Sequence, residues 1–113
     1  MIIYHITSSG EWQKAQQAGQ YTAPSLSQEG FIHASTGAQV AGTANLFFSG
    51  QGGLVLLVID TTRLLSEVRF DAVHTHGDEQ FFPHIYGPIN LDAVSEVLDF
   101  QPSPDGQFHF HRH

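Results

Sequence analysis

The feature of this sequence that most restricts its fold is the segment Leu54–Asp60, which reads LVLLVID. Its side chains are apolar at odd and at even positions, whereas a strand with one face in water alternates apolar and polar residues. We therefore predict a central β-strand that is covered on both faces. The segment is far shorter than the roughly 20 apolar residues that a membrane-spanning helix needs, so it belongs to a packed core.

The composition fits a single domain that covers residues 1–113. Hydrophobic residues make up 41% of the chain, and they include 9 Phe, 3 Tyr and 1 Trp. This is enough apolar bulk to build a core, so a disordered chain is excluded. The chain has no Cys, which excludes a disulfide scaffold, a thiolate nucleophile and any zinc site that uses Cys.

Strand and helix signals alternate along the chain. Residues 8–11 (SSGE) have the form of a capping box, which predicts a helix that ends at Gly19. Residues 36–39 (TGAQ) resemble a second capping box, and the following residues predict a second helix with a buried face. Strands are predicted at residues 2–6, 31–34, 54–60, 68–73, 94–100 and 107–111, with a short edge strand or rigid strap at residues 81–88. The fold class is therefore α+β, with mostly antiparallel strands and two early helices.

The charge of the chain restricts its partners. Net charge is −7, from 11 acidic residues against 4 Lys and Arg. Nucleic acids and anionic membrane surfaces both require a basic face, so the sequence disfavours both as partners and points to a small-molecule ligand. The first residues, MIIYHITSSGEW, have neither a basic region nor a long apolar stretch, which predicts no signal peptide and a cytoplasmic protein. The oligomeric state is left open.

Histidine is the unusual residue type, with eight copies. Residues 30–36, GFIHAST, place His33, Ser35 and Thr36 between the end of a predicted strand and the start of a predicted helix. Hydrogen-bonding side chains beside the positive end of a helix can hold a phosphate or a sugar hydroxyl. The alternative is that Ser35 and Thr36 only cap the helix and that His33 is a satisfied core histidine.

Two further histidines lie in segments with restricted backbones. His5 lies inside the first predicted strand among large apolar residues, where a lone histidine is usually structural. His84 and Tyr86 lie at alternate positions of residues 83–87, PHIYG, so both side chains share one face of the chain. The proline and the glycine fix the backbone there, and rigidly placed polar groups are what a binding site needs.

Metal binding has two candidate segments in the sequence. His74, His76, Asp78 and Glu79 offer nitrogen and oxygen ligands within one predicted loop. His109, His111 and His113 alternate along a predicted strand, so two of them face the same side. Neither segment has the spacing of a closed structural zinc site. We therefore predict no specific metal site.

The motifs GFIHAST (residues 30–36) and FPHIYGP (residues 82–88), with IYHI (residues 3–6) and residues 56–60, resemble a small bacterial family called domain of unknown function 952. The resemblance covers nearly the whole chain up to Phe100. It implies a fold placed with the ADP-ribosyltransferases and the RNA 2′-phosphotransferases. Those proteins bind NAD or an ADP-ribosylated intermediate in a cleft between two small sheets, so the expected fold is ADP-ribosyltransferase-like.

A more distant resemblance to poly-ADP-ribose-polymerase-like enzymes implies roles for single residues. A His on the first strand of those enzymes binds the nicotinamide-side ribose, and His5 is at the matching place. An aromatic residue that stacks on nicotinamide corresponds here to Ile32 or His33. A Glu on a late strand polarises a ribose hydroxyl, but the corresponding strap carries His84 here, and Glu79 lies upstream.

Two hypotheses for function follow. In the first, a His-lined cleft binds a nucleotide such as NAD or ADP-ribose, with no other cofactor indicated, and an activity would be that of a glycosyl- or phospho-transferase. Its catalytic residues would be His5, His33 and His84, and its ligand-binding residues would be Thr7, Ser35, Thr36 and Tyr86. In the second, the domain is not catalytic, and the same histidines form a surface that binds a small metabolite or a protein partner.

Overall fold

The computed structural model of the protein describes residues 1–75 and 77–111, and His76, Arg112 and His113 lie outside the described residues. The described strands are β1 (Ile2–Ser8), β2 (Gln20–Tyr21), β3 (Ile32–His33), β4 (Leu54–Asp60), β5 (Glu67–Thr75), β6 (Asp78–Tyr86), β7 (Ile89–Asn90) and β8 (Val94–Phe100). The described helices are α1 (Ser9–Ala18), α2 (Pro24–Glu29) and α3 (Val40–Phe47), with a 3-10 turn at Leu91–Ala93. The strand pairs are antiparallel, so the predicted α+β class with mostly antiparallel strands is confirmed.

The first sheet has the order β1-β4-β8, with β4 in the centre. The prediction of a central strand at Leu54–Asp60 is therefore confirmed. Alternate side chains of β4 enter two different cores, because Leu57 and Ile59 pack with one buried cluster and Leu56 and Val58 with the other. Each fully buried Leu or Ile contributes roughly 1.5–3 kcal/mol to folding, which explains why this strand is apolar on both faces.

The second sheet has the order β3-β6-β5, so β6 is its central strand. The prediction of an edge strand or strap at residues 81–88 is wrong on this point, although the segment is extended. The reason lies at Pro83, whose carbonyl accepts a hydrogen bond from the amide of Ala34 just beyond the end of β3. The backbone N–H and carbonyl of a strand residue face the same neighbouring strand, so the N–H that Pro83 lacks would face β3 as well. The missing hydrogen bond therefore lies at the end of the ladder between β3 and β6.

A short backbone contact connects the two sheets. Tyr4 of β1 and Ser35, which follows β3, exchange two backbone hydrogen bonds of 2.8 Å each. The chain after β3 therefore runs along the free edge of the first sheet. This contact brings β1, β3 and β6 together at one junction.

Helix α1 has the predicted boundaries. The side chain of Ser8 accepts a hydrogen bond from the amide of Glu11, and Gly19 ends the helix with a left-handed φ of 89°. Helix α3 starts later than its predicted capping box, because residues 37–39 form a turn. The side chain of Gln39 accepts a hydrogen bond from the amide of Thr36, so this amide is already satisfied before the helix begins.

Two parts of the chain differ from the sequence-based expectation. Residues 24–29 form α2, where the sequence signals predict no helix, and a proline at the start of the helix is compatible with that structure. Residues 107–111 do not form the predicted return strand. Instead, the side chain of Asn45 binds both the amide and the carbonyl of Phe108. Buried Phe108 then packs against Phe100, so side-chain hydrogen bonds replace a strand partner.

No helix in the described part of the chain is long and apolar enough to cross a membrane.

Candidate functional site

A cleft of about 1000 Å³ lies at the junction of the two sheets, beside α3. His5, His33 and His84 all line this cleft. They come from β1, β3 and β6, and His5 and His84 are 79 positions apart in the sequence. The structure therefore brings together the three imidazoles that the sequence singled out.

His84 is held at one edge by a carboxylate. Its Nδ1 atom lies 2.8 Å from Oδ2 of Asp71 on the neighbouring strand β5. The hydroxyl of Tyr86 donates a hydrogen bond to the same carboxylate oxygen, so the expected common face of His84 and Tyr86 is present. The hydrogen bonds from Tyr86 and from His84 lower the pKa of Asp71, which keeps this carboxylate ionised.

Aromatic rings fix the plane of the His84 side chain. The ring of Phe31 stacks on it with a centroid distance of 4.0 Å and an interplanar angle of 12°. The guanidinium of Arg69 lies 4.7 Å from the centroid of the Tyr86 ring, which is within the range of a cation–π contact. Hydrogen bonding to Asp71 raises the pKa of Tyr86, so its hydroxyl stays a donor. His84 is thus restrained in both its plane and its orientation.

His33 is the second imidazole with a carboxylate partner. It lies directly opposite His84 in the β3–β6 ladder, and the two ring centroids are 5.4 Å apart. Its Nε2 atom lies 2.9 Å from Oε2 of Glu29, the last residue of α2. The His33 side chain is 55% exposed, so the alternative of a buried core histidine does not describe it.

His5 has both ring nitrogens occupied within the protein. Its Nδ1 atom contacts the backbone carbonyl of His33, and its Nε2 atom lies 2.8 Å from the hydroxyl of Tyr21. A carbonyl can only accept, so the single proton of the neutral ring is on Nδ1 and the Tyr21 hydroxyl donates to Nε2. Burial lowers the pKa of His5 to about 4. His5 therefore remains neutral near pH 7 and holds the backbone of β3 in place.

The four predicted ligand-binding residues divide into two groups. Ser35 lines the cleft, although its hydroxyl lies 3.3 Å from that of Thr43. Thr7 and Thr36 do not line it. The hydroxyl of Thr7 instead lies 3.0 Å from the hydroxyl of Tyr21. Tyr86 reaches the site only through Asp71, because its hydroxyl is bound to that carboxylate.

Sequence reasoning missed three residues that shape this site: Glu29, Asp71 and Tyr21. Asp71 had a usable signal, because it is a carboxylate within the strand predicted at residues 68–73, the last predicted strand before the segment that contains His84. Glu29 precedes His33 by four residues, but the chain turns at Gly30 between α2 and β3. The sequence spacing alone therefore does not predict that the two side chains are in contact. Tyr21 carried no comparable signal, since it lies in a two-residue strand.

The described residues contain no group of three or more His, Asp or Glu side chains that could hold a metal ion. The loop predicted around His74 and Glu79 is wrong at these two positions, because they lie opposite each other in the β5–β6 ladder, with Nε2 of His74 3.5 Å from Oε2 of Glu79. His76 and His113, which belong to the two candidate metal segments, lie outside the described residues. His109 and His111 do not lie on a strand, so the alternation that placed them on one face is absent.

The fold and this site define a small α+β protein with a histidine-lined cleft between two antiparallel sheets. The chain belongs to the family described as "Protein of unknown function (DUF952)", whose profile matches residues 6–97. The predicted membership of this family is therefore confirmed.

Solved structures with the same fold come from Caulobacter crescentus. The X-ray crystal structure of protein CC0527 is 33% identical, with a TM-score of 0.84, and the match covers 96% of this chain and 94% of that chain. The solution NMR structure of CC0527 is also 33% identical, with a TM-score of 0.77, and the match covers 94% of this chain and 90% of that chain. No curated protein matches this chain significantly.

Proposed function

We propose that this protein binds a nucleotide of the NAD or ADP-ribose type in the histidine-lined cleft, with His84 as the group that exchanges a proton with the ligand. The observation that carries the proposal is the pairing of His33 and His84 with separate carboxylates at one cleft of about 1000 Å³. Ligand sites of this size typically combine apolar walls with a few fixed polar groups.

The lining of the cleft suits the two kinds of chemistry in a nucleotide. Apolar side chains that include Val73, Phe48 and Phe82 form one part of the lining, and they offer a surface for a planar base. The imidazoles, with Ser35 and Gln39 nearby, offer hydrogen-bonding atoms for ribose hydroxyls. The resemblance to the ADP-ribosyltransferases adds a reaction class, a glycosyl- or phospho-transferase, in which His84 occupies the place of the usual carboxylate.

The charge of the lining sets a condition on the ligand. Among the described residues that line the cleft there is no Lys or Arg, and Glu29 is one of them. The diphosphate of such a ligand therefore meets no Lys or Arg among these lining residues. The contacts that we expect from the imidazoles are hydrogen bonds to the ribose hydroxyls.

Isothermal titration calorimetry with NAD, ADP-ribose and NMN tests this proposal. We expect binding of at least one of the three, and we expect His84→Gln and His33→Gln each to weaken it roughly tenfold or more, which corresponds to about 1.4 kcal/mol. His109→Gln is the matched control, because His109 is exposed and does not line the cleft. Absence of heat for all three compounds at millimolar concentration would overturn the proposal.

A second candidate function is supported by the rim of the cleft. Phe47 is 72% exposed and Leu46 is 45% exposed, and both line the cleft. Exposed apolar side chains beside a cleft favour a non-catalytic domain that binds an apolar metabolite or a protein partner. Turnover of NAD by the purified protein supports the first candidate. Unchanged NAD together with co-purification of a stable partner supports the second.

A further inference from the structure

Asp71 determines where the proton of the His84 ring is. An ionised carboxylate can only accept a hydrogen bond, and the Nδ1 atom of His84 lies 2.8 Å from Oδ2 of Asp71. Nδ1 therefore carries the proton of the neutral ring, and Nε2 carries the lone pair. Free histidine prefers the opposite tautomer, so the protein imposes this one.

The Nε2 atom of His84 makes no hydrogen bond to the described part of the chain. The hydrogen bond to Asp71 is the one that the ring makes there, and no buried side-chain nitrogen or oxygen in those residues lacks a partner. Nε2, which has no partner among these residues, therefore reaches solvent, although His84 as a whole is only 4% exposed. The cleft that His84 lines is where it does so.

We infer that Asp71 is a positioning residue that fixes the Nδ1–H tautomer of His84, and that Nε2 of His84 is the atom in the cleft that accepts a proton or hydrogen bond from the ligand. The role in ligand binding rests on the proposed function, whereas the tautomer rests on the geometry alone. Tyr86 supports the arrangement, because its hydroxyl binds the same carboxylate oxygen.

This arrangement selects the kind of ligand group that meets His84. A neutral ring with a lone pair on Nε2 pairs with a donor, such as a ribose hydroxyl, and does not pair with a bare phosphate oxygen. When the proton of such a hydroxyl moves to Nε2, the ring becomes an imidazolium, and its charge is stabilised by the Asp71 carboxylate at Nδ1. The hydroxyl oxygen keeps the electron pair of the broken O–H bond and becomes a nucleophile.

Long-range ¹H–¹⁵N correlation spectra of the imidazoles test the tautomer on the free protein. At pH 8, we expect the His84 signals to show a protonated Nδ1 and an unprotonated Nε2. The His84→Gln variant identifies these signals by their absence. A protonated Nε2 in the unchanged protein, or an equal mixture of the two tautomers, would overturn the inference. This measurement needs no ligand and no Asp71 variant.

The substitution Asp71→Asn tests the cause. An amide can donate to Nδ1, so we expect the His84 signals to move to the Nε2–H form or to a mixture, and ADP-ribose binding to weaken at least fivefold. Glu29→Gln is the matched control, because Glu29 contacts His33, and it should leave the His84 tautomer unchanged. An unchanged tautomer in Asp71→Asn would overturn the positioning role. If that variant does not fold, the spectrum of the unchanged protein still decides the tautomer.

Addition of ADP-ribose separates the two claims. A shift of the His84 Nε2 signal without protonation supports a hydroxyl as the bound group. Protonation of both ring nitrogens would indicate a bound phosphate and would overturn the assignment of Nε2 as an acceptor. No change with ADP-ribose, NAD or NMN, together with the expected tautomer, would overturn the proposed function and leave the role of Asp71 intact.

Discussion

His5 and His84 are both buried imidazoles, with 8% and 4% exposure, and they line the same cleft, but they differ in what their nitrogens do. Both nitrogens of His5 have partners inside the protein, namely the His33 carbonyl and the Tyr21 hydroxyl. His84 uses Nδ1 for Asp71 and leaves Nε2 to the cleft. Burial and proximity to a cleft therefore do not separate a structural histidine from a functional one, whereas the partners of each nitrogen do.

The largest expected effect concerns the pH dependence of stability that His5 causes. The pKa of His5 is lowered from 6.5 to about 4, so between these values the unfolded chain binds more protons than the folded one. The contribution of the neutral His5 ring to the free energy of unfolding is therefore fully present above about pH 6.5. It falls by about 3 kcal/mol as the pH is lowered toward 4, at 1.36 kcal/mol per pKa unit.

Urea denaturation at pH 7 and pH 4 measures this loss. The variant His5→Asn has no titrating ring, so its loss between the two pH values should be smaller than that of the unchanged protein by about 3 kcal/mol. His109→Asn, at an exposed position, should behave like the unchanged protein. Equal losses in the unchanged protein and in His5→Asn would show that His5 is not a buried neutral ring.

The next effect compares removal of the two rings at pH 7. His5→Leu leaves the part-buried His33 carbonyl without this partner and takes the acceptor of Tyr21 away, so we expect a loss of about 2 kcal/mol in the free energy of unfolding. His84→Leu should cost less than half as much, because the Asp71 side chain is 35% exposed and can bind water instead. Denaturant midpoints of the two variants check this order. A larger loss of stability for His84→Leu than for His5→Leu would contradict the structural role assigned to His5.

Ligand affinity should show the opposite order. We expect His84→Gln to weaken ADP-ribose binding roughly tenfold, or about 1.4 kcal/mol, because an amide that cannot take up a proton replaces the ring nitrogen in the cleft. His5→Asn should weaken it less than about threefold, or ~0.7 kcal/mol, since both nitrogens of His5 face the protein. Calorimetry at pH 7 gives both dissociation constants. If His5→Asn proves the more damaging of the two, His5 contacts the ligand directly.

The smallest effect distinguishes the two tyrosines that accompany these histidines. Burial raises the pKa of Tyr21, and its hydroxyl bridges His5 and Thr7, so Tyr21→Phe should lower stability by about 1 kcal/mol. Tyr86→Phe should change stability less, because Asp71 keeps its bond to His84. Thermal denaturation of both variants in the same buffer measures the two losses of stability. Equal losses would show that the Tyr21 hydroxyl is not part of a buried hydrogen-bond network.

Much of the fold could be predicted from local sequence patterns. The two-sided apolar pattern of Leu54–Asp60 located the central strand of the first sheet, and the capping box at residues 8–11 located the start of α1. The central position of β6 could not be predicted, because two prolines and a glycine near its end are typical of an edge. Only the way in which β3 stops opposite Pro83 makes that proline compatible with a central strand.

The candidate site could be predicted only in part. Residue type and backbone restriction pointed to His33 and His84, but hydrogen-bond partners depend on tertiary contacts that the sequence does not state. Thr7 follows His5 on the same face of β1, yet its hydroxyl is bound to Tyr21. Thr36 was expected beside a helix N-terminus, yet the helix begins at Val40. For Thr7 a neighbouring side chain occupies the hydroxyl, and for Thr36 a turn at residues 37–39 separates the residue from the helix.

Modification by diethyl pyrocarbonate, followed by mass spectrometry of the proteolytic peptides, tests the difference between His5 and His84 most directly. The reagent acylates a neutral imidazole nitrogen that has a free lone pair and access to solvent. The structure predicts that His84 is modified in the folded protein and that His5 is modified only after unfolding in urea. Modification of His5 at the rate of His84, or protection of His84 in the folded protein, would contradict the account.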